Sequence, residues 1–164
     1  MYEKKAHEMF ECVPEVDFDS GCRYFLGNVH NYSRALLSIL KSIKSKLPIM
    51  NQMLQTGELE GLRSITRTLQ KMLNNVGAAG LADLSYQLEK ALLNDEIGMR
   101  SELLIDYIEQ LSVFSEHLEL LFKNKAWKNT SELTEDVNSY FQYDFTKTKE
   151  SIKRTSDLLE RRII

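Results

Sequence analysis

The sequence predicts an all-α fold: an antiparallel four-helix bundle with extra helices at its N- and C-terminal ends. Three observations point there. Apolar residues recur at helical spacing along almost the whole chain. Only two prolines and seven glycines interrupt 164 residues, too few for many short strands and turns. The links between the periodic stretches are short, so neighbouring helices must run back along one another and bury their stripes together.

The first stripe is Tyr2, Ala6, Met9, Phe10 and Val13, stopped at Pro14. The segment "VDFDSGCRYFLGN" then reads as a connection with room for one turn of helix. The second helix begins near Asn28 and carries Tyr32, Leu36, Ile39, Leu40, Ile43 and Leu47. Pro48 falls inside the pattern, but Met50, Met53 and Leu54 continue it, so one kinked helix is expected rather than two. Gly57 suits the position just past its C-terminus. The third helix carries Leu62, Ile65, Leu69, Met72, Leu73 and Val76 and ends at Gly77. The fourth carries Leu81, Leu84, Leu88, Ala91 and Leu92 and stops in "LNDEIG". The fifth carries Leu104, Tyr107, Ile108, Leu111, Phe114, Leu118, Leu121 and Phe122. "KNKAWKNTSELTED" breaks the pattern. A further helix is expected from about Ser131, with Leu133, Val137, Tyr140 and Phe141, and apolar spacing returns as Ile152, Leu158, Leu159 and Ile163. Three regions follow: an N-terminal helical extension over 1–15, the bundle over 16–124, and a C-terminal helical tail over 125–164.

Composition narrows the function. Apolar residues make up 43% and charged residues 27%, enough for a packed core, so wholesale disorder is not expected. The net charge of −3 argues against nucleic acid as a partner. No apolar run approaches the roughly 20 residues that cross a bilayer, and "MYEKKAHEMF" lacks the apolar core of a signal peptide, so no membrane partner and a cytoplasmic location are expected. Two cysteines, Cys12 and Cys22, make neither a disulfide framework nor a zinc site.

The third helix has an outer face of interest. At about 100° per residue, Arg67, Lys71 and Asn74 lie opposite the apolar stripe, with Arg63 and Gln70 on the flank. This face is basic within an acidic protein. The bland reading is a solvated helix surface.

The stretch "RTLQKMLNNVGAAGLADLSYQLEKAL" resembles the core motif of histidine-containing phosphotransfer (HPt) domains. That family typically shows a His-Thr/Ser-Leu-Lys-Gly-Ser run, a Gly-Ala step, then Leu-Ala and Leu-Glu. Thr68 and Leu69, Gly77 and Ala78, Leu81 and Ala82, and Leu88 and Glu89 match it here. Upstream, Gly21, Phe25, Gly27 and Tyr32 fall where the family's lead-in segment has its landmarks. The resemblance covers roughly Val16 to Phe122. It departs where the chemistry would be. The family's phosphorylated histidine falls on Arg67, its lysine on Gln70, its glycine on Lys71 and its serine on Met72. A guanidinium stays protonated and is no nucleophile, and Lys71 puts a long side chain where a receiver domain would approach closely.

Other chemistry finds little purchase. His7, His30 and His117 all lie off the motif position, and none has the preceding glutamate of a di-iron pair. No HExxH, P-loop or GxGxxG occurs. No base-and-orienter pair can be assembled around a serine or cysteine, and Asp95 with Glu96 reads as a helix-end cluster. The resemblance therefore implies a module of two-component or phosphorelay signalling that is not an enzyme and has no catalytic residue, cofactor or metal. It would dock a response-regulator receiver domain, or another signalling protein, through Arg63, Arg67, Gln70, Lys71 and Asn74. Two alternatives stay open. One is a helical scaffold or assembly module that binds through its tail, where Trp127, Tyr140, Phe141, Tyr143 and Phe145 gather. The other is a phosphocarrier using a different histidine. The partner's identity and the oligomeric state stay open too.

Overall fold

The computed structural model describes residues 8–94 and 97–123. Those residues are all-α, with no strand among them, and form a helical bundle. After helical residues 8–10, five helices follow: α1 (Phe18–Tyr24), α2 (Val29–Thr56), α3 (Leu59–Asn75), α4 (Ala79–Leu93) and α5 (Ile97–Lys123). Among the four long ones, α3 packs on α2 and α4, α4 packs on α5, and α5 closes back onto α2. The expected tail helix, with Trp127 and its aromatic neighbours, lies outside the described residues, as do Tyr2, Ala6 and His7.

Local chemistry sets the ends. Asp17 caps α1 by accepting the Ser20 N–H at 3.1 Å, and Asn28 caps α2 by accepting the Asn31 N–H at 3.0 Å. Gly57 takes φ 75° after α2, a left-handed conformation that only glycine adopts cheaply, while the Glu58 N–H reaches back to the Met53 carbonyl at 2.9 Å. Pro48 lies inside α2 and has no N–H for the carbonyl four residues back. The helix nevertheless runs on to Thr56, with Leu47 and Met50 buried on either side of an exposed Pro48. The segment expected to hold one turn forms the seven-residue α1.

The core joins Leu36, Ile39, Leu40 and Ile43 of α2 to Leu69 of α3, Leu88 of α4 and Leu111 and Phe114 of α5, all without solvent contact. Phe10 and Val13 enter the same core, so residues 8–16 pack onto the bundle rather than standing apart from it. Leu84, Ile65 and Met72, expected in the stripes, are partly buried and pack against the edge of the core. On α3 the buried line runs through Leu62, Thr66, Leu69 and Leu73, and Val76 continues it. Thr66 fits there because its hydroxyl donates to the Leu62 carbonyl at 2.7 Å. Ser85 is buried in the same way against the Leu81 carbonyl, and its hydroxyl shares a 2.9 Å hydrogen bond with that of Tyr107 on α5. Lys44 of α2 is buried in an ion pair with Glu119 of α5.

One junction locks α1 and the first turn of α2 onto the α3–α4 turn. Tyr32 donates its hydroxyl to the Val76 carbonyl at 2.8 Å, and burial pushes that phenol's pKa up, which keeps it a donor. A Cβ on Gly21 would stand 2.4 Å from the same carbonyl oxygen. Gly77 turns with φ 82°, and a Cβ there would meet the Asp17 carbonyl oxygen at 2.5 Å. The Asp17 N–H completes the junction by donating to the Gly77 carbonyl at 3.0 Å.

Candidate functional site

Helix α3 turns its buried line inward, which fixes where its polar residues go. Arg67, Lys71 and Asn74 are exposed, and Arg63 and Gln70 are half-buried on the flank. The five residues singled out in the sequence therefore share one side of α3.

Arg67 is not a solitary cation. Its Nε–H donates to Glu89 Oε1 on α4 at 3.0 Å, and its Nη2 donates to the same oxygen. The Arg67 side chain is 53% exposed and that of Glu89 13%, so the pair sits at the edge of the α3–α4 seam. The hydrogen bond to Glu89 pushes the Arg67 pKa up, so the guanidinium stays protonated more firmly still. Arg63 donates from Nη1 to Glu60 at 2.8 Å and brings Nη2 within 3.9 Å of Glu89. Its Nε is buried without a partner. Two carboxylates, Glu60 on α3 and Glu89 on α4, thus answer two of the three cations of this face.

Sequence reasoning misses both carboxylates: Glu60, which the i,i+3 spacing to Arg63 could have shown, and Glu89, which it could not. Glu89 appears there only as a match to the Leu-Glu step of the motif. The pairing runs between two helices and 22 residues apart, so no spacing rule within one helix reveals it.

The histidines fall elsewhere. His30 is half-buried near the start of α2. His117 on α5 meets Glu15 with its Nδ1 2.6 Å from Oε1. Cys12 and Cys22 are free thiols whose pKa values burial pushes up, the opposite of what a reactive thiolate needs. Among the described residues no three His, Cys, Asp or Glu side chains gather to hold a metal ion, and no helix is long and apolar enough to cross a membrane.

Comparison with known proteins finds no match: no protein-family model fits the chain, and no curated protein or solved structure matches it.

Proposed function

We propose that the protein is a non-catalytic, HPt-like signalling module of a cytoplasmic two-component or phosphorelay system. It docks a receiver domain through the outer side of α3 and carries no phosphate. The observation that carries this reading is Arg67: an exposed, permanently charged side chain at the position where the resembled family places its phosphorylated histidine. Supporting it, Gly21, Tyr32 and Gly77, three landmarks of the resemblance, belong to one packed junction. A receiver presents carboxylates around its phosphorylatable aspartate, and Arg67 with Lys71 offers the opposite charge.

The test is a binding screen of the intact chain against receiver domains of the same cell, each with and without phosphorylation. A receiver should bind, Arg67→Gln should weaken it strongly, and binding should fall as salt rises, because exposed charges are screened over about 10 Å at 0.1 M ionic strength. No phosphate should move onto the protein. Indifference to Arg67→Gln and to salt would leave the scaffold reading, which the Arg67–Glu89 pairing also fits: the face would then be a fastened seam between two helices. Acid-labile phosphate on His30 or His117 would revive the phosphocarrier.

A further inference from the structure

Glu89 does not use up Arg67. A guanidinium carries five N–H groups that form two forks, one along its side from Nε and one Nη, the other at its end from both Nη groups. Glu89 Oε1 takes the side fork, through Nε–H at 3.0 Å and an Nη2–H. Among the described residues Arg67 makes no other side-chain hydrogen bond or ion pair, so the end fork is unused. Glu89 is itself held: its side chain is 13% exposed, and the Arg63 guanidinium stands 3.9 Å from the same oxygen. An arginine tethered along one edge has already lost most of the freedom that binding would otherwise cost it.

We infer that Glu89 is a positioning residue that fixes the Arg67 guanidinium so that its end fork receives a carboxylate of an acidic partner, through two parallel N–H···O bonds. The inference rests on the docking reading and names what that face recognises. The planar end fork matches the two oxygens of a carboxylate, one to each Nη.

Two measurements test it. In the first, acetate replaces chloride at constant ionic strength while the side-chain N–H signals of Arg67 are followed by NMR in the intact chain. The Nη signals should shift and the Nε–H should stay protected. Release of the Nε–H, or an Arg67 that does not respond, would overturn the inference, since acetate would then be displacing Glu89 or not binding. In the second, variants are compared on a receiver that the native chain binds. Arg67→Lys keeps the charge but has no fork, and should bind about tenfold more weakly or worse. Glu89→Gln keeps a neutral acceptor for the side fork and should bind at least as tightly as native, whereas Glu89→Ala should bind several-fold more weakly. Melting temperatures near native show that the variants are folded. A receiver that binds Arg67→Lys as well as native would sink the fork and leave docking intact. Absence of any bound receiver, with the acetate response present, would sink receiver docking and leave the fork.

Discussion

The α3–α4 hairpin has two sides that are built on different principles. Its inner side is a packing problem: Leu69, Leu73 and Leu88 are fully buried, and the turn between the helices is pinned by Gly77 and Tyr32. Its outer side is an electrostatic one, where Arg67, exposed and protonated, leans on Glu89. Shape decides the first and charge the second. A change of one methyl group matters on the inner side, while the outer side can change its chemistry and leave the fold alone.

The widest contrast is expected in the core. Leu88→Ala should cost about 2–5 kcal/mol in denaturant unfolding, and Leu84→Ala clearly less, because Leu84 is only half-buried. Equal losses would mean that the inner side does not end where the burial pattern ends. Gly77→Ala comes next. A left-handed residue with a Cβ costs about 1–2 kcal/mol, and the Cβ would also press on the Asp17 carbonyl. A melting temperature unchanged by this substitution would show that the lead-in segment is not tied to the turn. Tyr32→Phe strands the Val76 carbonyl and should cost about 1–3 kcal/mol.

On the outer side, Arg67→Gln should leave the unfolding midpoint close to native while it weakens partner binding. Arg67→Glu is the less clean variant, because it sets a like charge against the mostly buried Glu89 and should loosen the seam as well. A large loss of stability from Arg67→Gln would erase the distinction between the two sides.

The smallest effect concerns pH. The Ser20 N–H holds the Asp17 carboxyl below its ordinary pKa. A depressed carboxyl contributes stability above its unfolded pKa of about 3.9, and that contribution is lost as pH falls through the lower folded value. Asp17→Asn keeps the cap and should flatten this part of the acid limb. An unchanged acid limb would show that the cap carries no pH dependence.

The helices are legible in the sequence because apolar spacing reports one helix at a time. Leu62, Leu69, Leu88, Leu111 and Phe114 follow from it directly. Thr66, Ser85 and Lys44 do not, because each is buried only by virtue of a polar partner: a carbonyl one turn back, Tyr107 across the bundle, or Glu119. Spacing does not separate the partly buried Leu84 from the fully buried Leu88, because a stripe gives the direction of a face and not its width. The positions of Arg63, Arg67, Gln70, Lys71 and Asn74 on one side of α3 follow from helix geometry, whereas the counter-ion Glu89 depends on how α4 lies against α3.

The bond from the Asp17 N–H to the Gly77 carbonyl joins points far apart along the chain. Its acceptor is in place only once α3 and α4 have met at their turn, since that turn is what orients Gly77. The lead-in segment therefore has no template of its own to settle on. Closing the long loop between Asp17 and Gly77 costs chain entropy, so the contact is expected to form after the α3–α4 turn, and amide exchange at Asp17 faster than in the two helices would bear that out.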